Sequence, residues 1–79
     1  MEIEIQLFAT LTAYLPPGAD GRRVSLTVAE GITVAEVLDQ LGVPLALTKL
    51  IFVNSVHGTP DTVLKAGTVL CVFPPLAGG

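Results

Sequence analysis

The sequence predicts an α+β domain in which one main helix packs across a single mixed sheet of four to five strands. Three observations predict it. The chain opens on an unbroken two-residue alternation of apolar and polar side chains. One later segment carries a full set of helix start and stop signals. The remaining apolar residues fall in short runs closed by Gly, Pro or polar turns. At 79 residues there is room for one core and not two. A domain of this size buries only about 60% of its unfolded surface, so it depends on dense apolar packing. A composition that is 51% hydrophobic, with a mean hydropathy of +0.72, can supply that packing.

The first strand spans Glu2 to Phe8 (EIEIQLF). Ile3, Ile5 and Leu7 lie on one side, and Glu2, Glu4 and Gln6 on the other. Phe8 falls on the polar side, so it is either the covered end of the strand or a contact residue. Ala9 to Leu15 suits a short helix stopped by Pro16, Pro17 and Gly18. Ala19 to Arg22 continues a loop. Arg23 to Val28 alternates again, with Val24, Leu26 and Val28 inward, and is expected to pair antiparallel with the first strand.

Gly31 to Pro44 is the main helix with its flanks. Thr33 and Glu36 have the spacing of a capping box, and Ile32 and Val37 that of a hydrophobic staple. Val34, Val37, Leu38 and Leu41 form one apolar stripe, and Gly42 followed by Pro44 ends the helix. Leu45 to Lys49 fits a short helix or a loop. Leu50 to Val53 reads as a third strand, and Asn54 to Pro60 as a turn with a brief return. Asp61 to Leu64 leads to a tight turn at Lys65, Ala66 and Gly67. Val69 to Phe73 is the last strand, ended by Pro74 and Pro75 because proline has no N–H to give a ladder. Residues 1–75 thus read as the folded domain and 76–79 as a C-terminal tail.

Composition excludes several function classes. Net charge is −3, and Arg22 with Arg23 is the only basic cluster, so the chain lacks the cationic face that nucleic acid demands. No stretch approaches the roughly 18 to 20 apolar residues of a membrane span. The acidic start is unlike a signal sequence, which makes the cytoplasm the expected location. The single cysteine, Cys71, has no internal disulfide partner and suits a reducing compartment. In its setting it is a packed strand thiol or, less simply, a redox or sulfur-transfer group. His57 is the only histidine, and with Cys71 it falls short of the four ligands of a structural zinc site, so no metal is expected. A solvated turn is the simplest setting for His57. The isolated glycines form no phosphate cradle, and no serine has a base placed by motif. No bound cofactor and no independent catalysis are expected.

One reactive group is left, the α-carboxylate of Gly79, which is ionised at neutral pH. Random usage places Gly at two given positions only about once in 200 chains, at roughly 7% per position. Gly78 and Gly79 carry no side-chain bulk and tolerate unusual backbone angles, so such a tip can thread a narrow channel. Leu76, Ala77, Gly78 and Gly79, fully extended, reach roughly 13 to 14 Å. Pro74 and Pro75 stiffen the exit and limit the entropy lost when the tail docks. The ending is either a frayed terminus or the working end, delivering a carboxylate to the α-phosphate of ATP on an activating enzyme.

The chain resembles the MoaD/ThiS family of ubiquitin-like sulfur carriers, on the side of the molybdopterin synthase small subunits. The likeness covers nearly the whole length. It rests on Leu7, Phe8 and Ala9, on Phe52, Val53 and Asn54, on Leu64 with Gly67, and above all on the FPPLAGG ending from Phe73 to Gly79. It implies a ubiquitin-like β-grasp fold with the last strand beside the first. It further implies a cycle in which an E1-like adenylyltransferase of the MoeB/ThiF type uses ATP to adenylate Gly79, and a sulfur donor turns the acyl-adenylate into a thiocarboxylate. The acceptor would be a large molybdopterin synthase subunit of the MoaE type. By the same resemblance the docking surface is the sheet face away from the helix, with Phe8, Phe73 and His57 as contacts and Pro74 to Ala77 engaging the partner. The chain departs from the family pattern at two places, Thr68 after Gly67 and the pair Thr12 and Ala13, and both changes remove charge. A carrier for thiamine or cysteine synthesis, a ubiquitin-like protein modifier, and an interaction module with an idle tail stay open as alternatives.

Overall fold

The computed structural model describes residues 1–75. Five strands and one α-helix occur in the order β1 (Glu2–Leu7), β2 (Arg23–Thr27), α1 (Val34–Leu41), β3 (Leu50–Val53), β4 (Val56–His57) and β5 (Val69–Phe73). Two 3-10 segments, Ala9–Tyr14 and Leu45–Leu47, fill the links that could have been helix or loop. The sheet order is β2-β1-β5-β3-β4. β1 and β2 pair antiparallel with Ile5 opposite Val24, and β5 lies parallel to β1 with Ile5 opposite Leu70. β3 pairs antiparallel with both β5 and β4. The sheet is therefore mixed, one helix lies across it, and the arrangement is a β-grasp.

The alternation in β1 does what its period predicts. Ile3, Ile5 and Leu7 are buried toward the helix, where they meet Leu70 and Val72 of β5, Ile51 of β3, and Val34, Val37 and Leu38 of α1. Ile32, Val43, Leu11, Val28 and Leu64 close the ends of this core. At roughly 1.5 to 3 kcal/mol for each buried aliphatic side chain, these residues are the main stabilising term in the domain. Leu41, the fourth position of the helix stripe, is only partly buried at the margin.

The ends of α1 are closed by their own sequence and by the loop that follows β4. Thr33 stands outside the helix with φ −95° and ψ 165°, and its Oγ1 accepts from the Glu36 N–H at 3.3 Å. Glu36 Oε1 in turn accepts from the Thr33 N–H at 3.0 Å, completing the capping box. The Val34 and Ala35 N–H groups donate to the carbonyls of Thr62 and Pro60. The first turn thus has no free donor to offer an anion. At the other end Gly42 takes a left-handed conformation (φ 79°). The Val43 N–H reaches the Leu38 carbonyl and the Gly42 N–H the Asp39 carbonyl, the two bonds of a Schellman motif.

The β3–β4 hairpin turns through Asn54 and Ser55, both at positive φ (51° and 68°), as a two-residue hairpin with the hand of the sheet requires. Asn54 also ties this hairpin to β5. Its N–H donates to the Val69 carbonyl at 2.9 Å, and its Oδ1 accepts from the Val69 N–H at 2.8 Å. β5 is thereby held between β1 and β3 from its first residue, so the point where the chain leaves the sheet after Phe73 is set by two neighbours.

Candidate functional site

The helix covers one face of the sheet. The other face is assembled from the alternate residues of every strand, and strand register decides which side chains meet there. Arg23, Gln6, Cys71, Phe52 and His57 form one row across all five strands, since each is paired with the next. The row toward the tail is Phe8, just past β1, then Phe73 and Leu50, which pair across β5 and β3. The row on the opposite side is Ser25, Glu4 and Val69.

The aromatic side chains in these rows form one contiguous group. The rings of Phe8 and Phe73 stack with centroids 4.1 Å apart and planes within 12°. Phe52 stands edge-on to Phe73 at 5.9 Å, and His57 edge-on to Phe52 at 5.8 Å. The Arg22 guanidinium carbon lies 5.3 Å from the centre of the Phe8 ring. Such pairs contribute about 0.5 to 1.5 kcal/mol each beyond simple burial. The three phenylalanines are half-buried and His57 is exposed. Leu50 beside them is 41% exposed. The domain does not cover this group; it presents it.

Local backbone geometry puts Phe8 there. Phe8 is extended (φ −114°, ψ 153°) and donates its N–H to the Val72 carbonyl, which prolongs the β1–β5 ladder by one residue. Ala9 then adopts φ 53°, a left-handed value that only a sharp turn imposes on alanine. The chain leaves the sheet at that turn and starts the first 3-10 segment, whose Leu11 plugs the core.

Cys71 lies on this open face and not in the helix-side core, so a packed strand thiol describes only half of its setting. Burial by its neighbours, with the Glu4 carboxylate adding to it, raises the Cys71 pKa above the ordinary thiol value. A thiol held protonated is a poor nucleophile, which argues against a sulfur-transfer role for it. His57 sits in β4 opposite Phe52, in a strand and not the simple turn its neighbours suggested. Pro74 is half-buried and Pro75 exposed where the chain leaves the sheet. Leu76, Ala77, Gly78 and Gly79 lie outside the described residues.

Phe52, Leu50 and Arg22 belong to the same surface and were not assigned to it from sequence. The run Leu50 to Val53 is apolar throughout, so no polar alternation marks which side of β3 faces out. The parity of polar Thr48 and Asn54 with Leu50 and Phe52 is the one signal that points to it. Two open clefts, of about 420 and 580 Å³, lie beside β2 and beside α1. Ser25 lines the first together with the carboxylates of Glu4 and Asp20, but no hydrogen bond joins the serine to either. Among the described residues no three metal-ligating side chains gather, and no helix is long and apolar enough to cross a membrane.

A family model described as Mut7-C ubiquitin matches residues 1–77. Comparison with curated protein sequences finds no match. Among solved structures, SAMP1 of Haloferax volcanii is 27% identical over 100% of both chains, with a TM-score of 0.71. The small archaeal modifier protein 1 of H. volcanii is 24% identical over 95% of this chain and 98% of that one, with a TM-score of 0.72. In the Helicobacter pylori complex of subunits 1 and 2 of molybdopterin-converting factor, the matched chain is 20% identical over 100% of both chains, with a TM-score of 0.62. At those last two identities the likeness concerns the fold.

Proposed function

The chain belongs to the Mut7-C ubiquitin family, and from that premise we propose that it is a sulfur carrier that works through the Gly79 carboxylate. The observation that carries this is the aromatic group of Phe8, Phe73 and Phe52, displayed on the open face where β5 passes into the two prolines and the diglycine tail. A partner seated on that group receives the tail in a fixed direction. Partly exposed aromatic side chains are what interfaces use as anchors.

In this scheme an E1-like adenylyltransferase binds the aromatic face and draws Gly79 to ATP. A carboxylate oxygen attacks the α-phosphate, pyrophosphate leaves, and an acyl-adenylate forms. A sulfide-level donor then displaces AMP and leaves a thiocarboxylate. A second partner uses the same face and takes the sulfur. The H. pylori complex, in which subunit 1 is bound to subunit 2, supports a large molybdopterin synthase subunit in that place, and molybdopterin synthesis as the pathway. The fold of the molecule supplies docking and aim, and the partners supply the catalysis.

A second reading has support of its own. The likeness to the small archaeal modifier protein of H. volcanii favours a protein modifier joined through Gly79 to lysines. Intact mass after incubation with ATP, an E1-like enzyme and a sulfide source tests the first proposal. The expected result is the mass gain of one oxygen-to-sulfur exchange on the full chain. No gain with the adenylyltransferases of the same genome refutes it, and isopeptide-linked conjugates on a denaturing gel establish the modifier instead.

A further inference from the structure

The charges around the open face are sorted, and the sorting specifies a partner. The chain has four basic residues and a net charge of −3. Three of the four stand at the end of the sheet where the chain leaves it. The Arg22 carbonyl accepts from the Leu7 N–H at the last residue of β1, Arg23 pairs with Gln6, and the Lys49 N–H donates to the Phe73 carbonyl at 2.7 Å. The fourth, Lys65, belongs to the turn before β5 at the far end, where the Gly67 N–H meets the Glu2 carbonyl. Glu2 and Glu4 occupy that far end of the open face.

Within this set Arg23 is tempered by acids, because it lines a cleft with Glu4 and Asp20. Arg22 has a different environment. Its guanidinium lies over one face of Phe8, while Phe73 stacks on the same ring. A cation–π contact of this kind holds the cation through the ring face and leaves its N–H donors available to a carboxylate. Arg22 and Lys49 are both exposed, and the chain passes out of the sheet between the strands they flank.

Resting on the docking role proposed above, we infer that the partner presents an apolar platform with an acidic rim at the mouth of its tail channel. Arg22 and Lys49 meet that rim, and Arg22 is the specificity-determining cation. An acidic chain with a positive collar around its exit docks in one orientation only. The Glu2 and Glu4 end would repel the same rim if the face were turned round.

The test uses the full chain and a small probe that stands for the rim. Two capped peptides, leucine-aspartate-phenylalanine-aspartate-leucine and its bis-asparagine counterpart, are titrated at low salt and followed by amide NMR shifts. The aspartate peptide is expected to bind about threefold tighter per placed carboxylate, the scale of an exposed ion pair. The largest shifts are expected at Phe8, Arg22 and Phe73. The preference is expected to vanish near 0.5 M salt, where the screening length is roughly 4 to 5 Å. Arg22→Gln with Lys49→Gln removes the preference and Arg22→Lys keeps most of it, each in a protein with native-like spectra. Equal affinity of the two peptides, or no shift at Phe8 and Phe73 with either, overturns the inference. The mass-gain experiment is independent of this one. A gain without the aspartate preference refutes the acidic rim alone, and the preference without a gain refutes the sulfur-carrier proposal alone.

Discussion

The stack of Phe8 on Phe73 is the part of the site most open to a quantitative test. The perturbation is a double-mutant cycle of Phe8→Ala and Phe73→Ala. Complete truncation of a core phenylalanine costs about 3 to 5 kcal/mol. Both side chains keep less than about a third of their surface exposed, so each single variant is expected to lose most of that, about 2 to 4 kcal/mol. The rings lie 4.1 Å apart and nearly parallel, so the two losses share one stacking term of about 0.5 to 1.5 kcal/mol. The double variant is therefore less destabilised than the sum of the singles by that amount. A domain of this length holds roughly 4 to 12 kcal/mol, at 0.05 to 0.15 per residue, so the single variants stay folded. Urea denaturation followed by far-ultraviolet circular dichroism reads the cycle. With a slope near 1 kcal/mol per molar, a 1 kcal/mol coupling moves the midpoint by about 1 M. Additivity within about 0.3 kcal/mol would show that the rings do not touch in solution, and the aromatic platform would fall with them.

Three further outcomes follow from named contacts. Removing the capping-box hydroxyl with Thr33→Ala should cost about 1 kcal/mol in urea melts, because Thr33 Oγ1 holds the Glu36 N–H; an unchanged midpoint counts against the cap. Ser55 carries φ 68° in the β3–β4 turn, so Ser55→Gly should raise stability by roughly 0.5 to 1 kcal/mol, and a loss would contradict the turn geometry. The Cys71 pKa is raised by burial and by Glu4, so the unfolded chain loses its thiol proton first as pH rises. Stability from this group is then full below the ordinary thiol pKa and declines as pH climbs through the folded value. Melting temperatures across alkaline pH should show a decline that Cys71→Ser reduces, and identical curves for the two proteins would refute it.

Local order was legible from the residues because local rules write it. Alternation in Glu2 to Leu7, the Thr33–Glu36 cap, the Gly42 stop and the two prolines after Phe73 each depend on neighbours a few positions away, and each element formed where those signals stand. The Ala9–Tyr14 segment came out as 3-10 and not α, since a left-handed Ala9 at its start and prolines just beyond it leave too little length for four-residue hydrogen bonds. The site was legible in part. Phe8 broke a polar alternation and so announced itself. Phe52 sat in a uniformly apolar strand whose outward face is marked only by the flanking Thr48 and Asn54, and Arg22 looked like half of an ordinary basic pair.

What the amino-acid order determined by itself is therefore the list of elements with their caps and breaks. Only the tertiary structure decided who stands beside whom on the open face. Phe8 and Phe73 are 65 positions apart in the chain, and no local period encodes that distance. They meet because β5 is inserted between β1 and β3 in fixed register, and one step of slippage would turn Phe73 into the core. The same register gathers Phe52 and His57 and leaves Arg22 and Lys49 on either side of the exit. Strand pairing converted scattered aromatics and charges into one surface beside the point where the chain leaves the sheet after Phe73.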